Sequence, residues 1–205
     1  MRLRSYLGDV LGSRVKIKVL RTLFNYPSKT FTIRELAETS NGVTHTGVRK
    51  ALGDLIGSNL VNVEHHGQSN LVSLNRKNKL YRELNTLFEN ESSSFSRFRE
   101  ELAAGIPGCV VSCAIFGSVA RSLEKPDSDV DTLFVVDETV RDYRERVMDF
   151  FEVKSQKIIA EYGKVIVPYI MSRREFIKKK GTPFVKSILQ KHVRVNGEEL
   201  WKLIR

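Results

Sequence analysis

The sequence predicts an α+β fold in two small domains, and three observations carry that prediction. Apolar residues at helical spacing recur before an alternating hairpin pattern within residues 14–75. Two apolar strand patterns enclose a Gly-Ser pair and two aspartates within residues 109–136, and the charge changes sign along the chain. A chain of 205 residues has room for two cores and not for a third. Residues 1–90 hold 14 Lys and Arg against 7 Asp and Glu, residues 91–171 hold 10 against 14, and residues 172–205 hold 10 against 3. Basic ends flanking an acidic centre suit a polyanion partner such as nucleic acid, or act only as solvated surface charge.

The apolar runs fall short of the ~20 residues that cross a bilayer, and the opening "MRLRSYLGDVLGSR" lacks the apolar core of a signal peptide. A cytoplasmic protein with no membrane partner is expected. Cys109 and Cys113 lie four apart near one strand pattern, with no second pair to complete a zinc site. They read as buried thiols.

In chain order, "SRVKIKVLRTLFNYP" carries Val15, Ile17, Val19, Leu20, Leu23 and Phe24 as a helical stripe that Pro27 ends. A second, short helix opens in "FTIRELAETSNG", where Thr32 and Glu35 have the spacing of a capping box and Asn41-Gly42 supplies the turn. A third follows in "VTHTGVRKALGDLIGSNLV", with Val48, Ala51, Leu52, Leu55 and Ile56 on one face, Thr44 placed to cap, and His45, Thr46, Arg49 and Lys50 facing away. "LVNVEHHGQSNLVSLN" then alternates on both sides of Gly67 as a two-stranded hairpin.

Over about residues 10–75 this order resembles the winged helix-turn-helix family of DNA-binding domains. The resemblance implies that Thr44, His45, Thr46, Arg49 and Lys50 contact bases or phosphates of double-stranded DNA, with His65, His66 and Gln68 at the wing tip. The same domain could instead mediate protein contacts or dimerisation. A metal at the paired histidines is disfavoured, because adjacent side chains on a strand point to opposite faces.

"NRKNKLYRELNTLFENESSSFSRFREELAAGIPG" predicts two helices, one through Leu80, Leu84, Leu87 and Phe88 and one through Phe95, Phe98 and Leu102. Between them Glu91–Ser94 reads as a serine-rich hinge near the domain boundary, giving domains over residues 1–90 and 91–205. The first of these helices could also support a homodimer.

In "AIFGSVARSLEKPDSDVDTLFVV" a strand ends at Gly117 and Ser118 opens a short helix. Glycine admits a ligand close to the backbone, and a helix start offers unpaired N–H groups to phosphate. Asp129 and Asp131, two apart at the mouth of a strand, share a face with Cα atoms roughly 6.5–7 Å apart. Converging carboxylates resist ionising together. Magnesium, which takes one or two carboxylates plus phosphates and waters, resolves that conflict.

Gly117, Ser118, Ala120, Arg121, Ser128, Asp129 and Asp131 in this order resemble the signature of the polymerase beta-like nucleotidyltransferase superfamily, particularly its minimal members. The resemblance spans about residues 95–200. It implies a mixed sheet with helices on one side, and a nucleoside triphosphate with Mg2+ at the strand mouth. The catalytic and metal-binding residues would then be Asp129 and Asp131, and the nucleotide would be held by Gly117, Ser118, Arg121 and Ser128. Arg121 could act on phosphate or partner a carboxylate, and Ser128 also suits the turn.

One feature of that family is missing. Active members usually carry a third carboxylate on a later strand, whereas "KVIVPYIMS" has none, with Glu161 and Glu175 outside it and Pro168 pointing to an edge or bulge. In the tail, Ser172 and Glu175 have capping-box spacing, Lys178, Lys179 and Lys180 form a basic cluster, and Phe184, Ile188 and Leu189 predict a further helix. Three readings follow. The chain is a magnesium-dependent nucleotidyltransferase with a DNA-binding wing; or a DNA-binding regulator whose degenerate transferase domain senses nucleotide; or one half of a toxin–antitoxin pair, since minimal nucleotidyltransferases often accompany a small helical partner.

Overall fold

The computed structural model describes residues 2–67 and 69–204, apart from the side chains of residues 9, 10 and 66. They divide into two units, one of Arg4–Ser94 and one running from Phe95 onward and including Leu3.

In the first unit, α1 (Leu7–Val10) precedes α2 (Arg14–Asn25), which buries Ile17, Val19, Leu20, Leu23 and Phe24 along its stripe. A strand of two residues, β1 (Phe31–Thr32), leads into α3 (Ile33–Thr39). The capping box forms there in both directions: Glu35 N–H donates to Thr32 Oγ1 at 3.1 Å, and Thr32 N–H to Glu35 Oε2 at 2.8 Å. In α4 (His45–Gly57) Thr44 Oγ1 accepts from Gly47 N–H at 3.1 Å, and Val48, Ala51, Leu52 and Leu55 are buried. Ile56, expected on that apolar face, is 49% exposed, one position past the stripe. The hairpin strands β2 (Val61–His66) and β3 (Ser69–Leu74) pair antiparallel, and β1 adds to β3, giving the order β1-β3-β2.

The expected serine hinge is absent. One helix, α5 (Tyr81–Ala103), runs unbroken through it. Ser92 and Ser93 fold their hydroxyls back onto the carbonyl of Glu89 at 2.9 Å, so they continue the helix. Glu91 is only 1% exposed: it accepts the Leu7 N–H at 2.7 Å and binds the Arg21 guanidinium through two contacts of 2.7 and 3.0 Å. A carboxylate so fully paired is tolerated inside a core where an unpaired one is not.

The second unit continues with β4 (Val110–Ile115), α6 (Gly117–Ala120), β5 (Val130–Val136), α7 (Tyr143–Tyr162), β6 (Ile166–Ser172), α8 (Arg173–Lys178), α9 (Pro183–Gln190), β7 (Val193–Gly197) and α10 (Leu200–Leu203). Its sheet is mixed, in the order β6-β5-β4-β7, with β5 and β6 parallel and the other pairs antiparallel. β6 is an edge, which accommodates Pro168. β7 is a strand the sequence reading did not anticipate; it closes on β4 where Gly197, at φ +75°, has no space for a Cβ against the Val111 carbonyl.

Helices cover both faces of this sheet rather than the one side implied by the resemblance. Ala114, Leu133, Val135 and Met171 pack with Phe176, Val185, Ile188 and Leu200 from α8, α9 and α10. Strand alternation turns Cys113, Ile115, Val130, Phe134 and Val136 the other way, onto Phe98 and Leu102 of α5 and Val147 and Ile158 of α7. Cys109 and Cys113 are free and buried, and burial pushes the Cys113 thiol far up. Among the described residues no helix is long and apolar enough to cross a membrane.

Candidate functional site

Antiparallel pairing of β4 with β5 sets Ile115 opposite Thr132, so the end of one strand lies beside the beginning of the other. Phe116 N–H donates to the Asp131 carbonyl at 2.9 Å and brings the next residue, Gly117, over the Asp131 side chain. Gly117 has φ +70°, and a Cβ there would overlap the Asp131 carboxylate. Glycine is therefore required twice, for its backbone angle and for the close approach. Ser118 is half-buried, and its carbonyl accepts the Leu123 N–H at 2.9 Å to close the turn after α6. Arg121 ends α6 and is exposed.

Asp131 lies on β5, on the face shared by Leu133 and Val135, and Asp129 lies just ahead of the strand, near enough for its charge to act on Asp131. Burial, and then the charge of Asp129, push the Asp131 carboxyl above the ordinary carboxylate range. A carboxylate with a raised folded pKa costs stability once pH climbs past its unfolded value, and costs nothing at acid pH where both states are protonated. Asp131→Asn is accordingly expected to stabilise the metal-free protein slightly at neutral pH, a gain that vanishes as pH falls below the unfolded carboxylate pKa. Thermal unfolding in EDTA across that pH range checks it.

The sequence reading passed over Lys164. This lysine is 1% exposed, and its Nζ donates to the carbonyls of Ser128 at 2.7 Å, Pro126 at 3.2 Å and Lys125 at 3.3 Å. It gathers the loop that delivers Asp129. Ser128 Oγ accepts the Lys125 N–H at 2.8 Å in the same loop, so its hydroxyl serves the turn. The one signal was a lysine at the head of an apolar strand pattern.

Register on the neighbouring strand accounts for the missing third acid. β6 pairs Val167 with Asp131, Tyr169 with Leu133 and Met171 with Val135, so the positions beside the aspartate pair on its face carry no carboxylate. Glu161 lies 3.9 Å from Lys157 and Glu175 is held by Lys179 at 2.6 Å. Among the described residues no three or more His, Cys, Asp or Glu side chains cluster as a metal site.

Residues 95–196 match the family described as "Nucleotidyltransferase domain". This segment is a nucleotidyltransferase domain. A solved structure, a toxin-antitoxin with AMP-PNP, is similar at 13% identity and a TM-score of 0.36, over 53% of this chain and 79% of that chain. Comparison with curated proteins gives no match.

Nucleotidyltransferase domains generally use a divalent metal, usually Mg2+. The donors present fit such an ion: two neighbouring carboxylates, one of them half-buried and disfavoured in its charged form by burial and by the other, with Gly117 lacking the Cβ that would collide with the Asp131 carboxylate. Hard oxygen donors of this number leave the remaining positions for phosphate and water.

The first unit precedes the nucleotidyltransferase domain. On α4, His45, Thr46, Arg49 and Lys50 are exposed, while the Thr44 hydroxyl is occupied as the cap. His45 and Arg49 line a cleft with Arg34 of α3 and with Ser69 and Asn70 of β3. His65 is exposed on β2, its Nδ1 2.7 Å from Asn70 Oδ1. Gln68 and the His66 side chain lie outside the described residues.

Proposed function

We propose that the nucleotidyltransferase domain binds a nucleoside triphosphate with magnesium at the mouth of β5, and that the first unit is a winged helix that binds double-stranded DNA. The close approach of Gly117 to the Asp131 carboxylate is the observation that carries the first part. It supports a turn built to receive polyphosphate directly beside two metal-binding acids. Asp129 and Asp131 hold the ion, and Gly117 and Ser118 receive the β and γ phosphates through backbone N–H groups and the Ser118 hydroxyl. A magnesium ion held by these two carboxylates would supply positive charge to offset that developing at the transferred phosphorus. Lys164 keeps Asp129 in place through the loop carbonyls, and exposed Arg121 is available to a phosphate oxygen.

Transfer to an acceptor hydroxyl needs that hydroxyl's proton removed. Because Val167 and Tyr169 stand where a third acid would lie, a second reading is favoured by a specific feature: the domain binds nucleotide as a signal without turning it over. Calorimetric titration with ATP, with and without magnesium, tests the shared first step. Incubation with labelled triphosphates and a cell extract separates the two readings. Magnesium-dependent label on an acceptor supports transfer, binding without label supports the sensor, and no magnesium-dependent binding sinks both.

For the first unit, the order of helices, hairpin and short third strand supports the winged-helix assignment. Exposed Arg49 and Lys50 at the start of α4 suit phosphates flanking a major groove. Duplex binding is expected to weaken steeply with salt, and Arg49→Ala with Lys50→Ala to lower affinity and flatten the salt slope by about two contacts. Fluorescence anisotropy at several salt concentrations measures both. Binding indifferent to salt and to these substitutions would remove α4 from the interface.

A further inference from the structure

We infer that Tyr169 and Phe184, backed by Phe116, form a shelf on which the base of the bound triphosphate stacks. The inference rests on the triphosphate reading above and adds where the nucleoside lies. The three rings touch one another: Phe116 to Tyr169 at 5.2 Å between centroids, Phe116 to Phe184 at 5.6 Å, and Tyr169 to Phe184 at 5.5 Å. Phe116 is buried at 7% exposure, whereas Tyr169 and Phe184 are 37% and 38% exposed. One ring thus supports two that keep surface open.

The shelf adjoins the acids by construction. Phe116 immediately precedes Gly117, and its N–H is bonded to the Asp131 carbonyl. Tyr169 pairs with Leu133, one strand across from Asp131 and two residues further along. Strand spacing and rise put the Tyr169 and Asp131 Cα atoms on the order of 8 Å apart, a gap of the kind that a ribose and one phosphate bridge. Tyr169 also sits on the edge strand, so no further strand covers it from outside. Scattered exposed apolar residues are ordinary. Two contacting rings tilted 44° to each other, beside the proposed metal-binding acid pair, expose π surface at a place where a base must go.

The chemistry of the shelf also sets its selectivity. Apart from the Tyr169 hydroxyl, the three side chains offer no hydrogen-bonding group, so they grip any base through its π face. Larger rings overlap more, and purine triphosphates bind more tightly than pyrimidine ones.

Calorimetric titration of the full chain with magnesium and ATP, UTP or inorganic tripolyphosphate tests this. Tyr169→Ala is expected to lower ATP affinity roughly tenfold, to lower UTP affinity less, and to leave tripolyphosphate binding unchanged, while Tyr169→Phe keeps wild-type affinity. Phe184→Leu retains apolar bulk and removes the π face; it is expected to reproduce the Tyr169→Ala pattern should the alanine variant fold poorly. Unchanged ATP affinity in both variants overturns the shelf and leaves the phosphate site standing. Equal losses for ATP and tripolyphosphate overturn it too, since the rings would then only shape the phosphate site. Failure of the wild-type chain to bind either ligand overturns the triphosphate reading and the shelf with it.

Discussion

Lys164→Met is expected to destabilise the nucleotidyltransferase domain by about 3 kcal/mol and to weaken its binding of magnesium and triphosphate. Three backbone carbonyls, those of Lys125, Pro126 and Ser128, share this one ammonium. A hydrogen bond from a charged donor contributes about 1.5–3 kcal/mol, and water reaching these part-buried carbonyls recovers part of the total. Methionine keeps most of the apolar stem, so the loss reports the ammonium rather than a cavity. The freed loop no longer holds Asp129, whose carboxylate is one of the two proposed metal ligands. Trp201 is the chain's single tryptophan and lies in α10 of this unit, so its fluorescence follows the relevant unfolding transition in denaturant. A midpoint matching the wild type would show that Lys164 does not hold the loop.

Removing both acids proposed to hold the metal, Asp129→Ala with Asp131→Ala, is expected to abolish magnesium-dependent ATP binding, while the fold survives because Asp129 is exposed and Asp131 half-buried. Gly117→Ala reaches the same site from the opposite side. Its new methyl group competes for the space of the Asp131 carboxylate, at a φ of +70° that disfavours any side chain. The backbone contribution is about 1–2 kcal/mol, and disturbing a group that orients a metal ligand typically costs 10–100-fold in affinity. Titration calorimetry of the three proteins orders them: wild type tightest, Gly117→Ala weakened, the double variant silent. Equal affinity in the double variant and the wild type would remove the metal and the triphosphate from this crevice.

Local patterns were legible in the sequence, and distant partnerships were not. The stripe of α2, the Thr32–Glu35 box and the Thr44 cap depend on residues three or four apart, and they stand as read except at Val15, which is 39% exposed at the start of α2. That Gly117 and Asp131 belong to one turn region was legible, because a strand, a turn and a returning strand lie within one short stretch; that the glycine makes room for the Asp131 carboxylate shows only in the fold. Glu91 was read as part of a hinge because charge and serine together normally mean solvent. Its partners, Arg21 and Leu7, lie 70 and 84 residues away, and only the fold shows that it is buried. Lys164 likewise gains its role from a loop 36–39 residues earlier. β1 is too short to display alternation. In β7 the alternation of Val193 and Val195 ahead of Asn196-Gly197 was present, but the preceding helical pattern absorbed it. The ring cluster of Phe116, Tyr169 and Phe184 draws on three separate elements and has no linear signature.

Pro168 matters beyond its own strand. A sheet margin invites a foreign β-segment to dock by main-chain bonding, and a residue without an N–H breaks the row of donors that such a guest would need. Placed mid-way along β6, between Val167 and Tyr169, it discourages edge-to-edge strand pairing while leaving part of the tyrosine ring accessible.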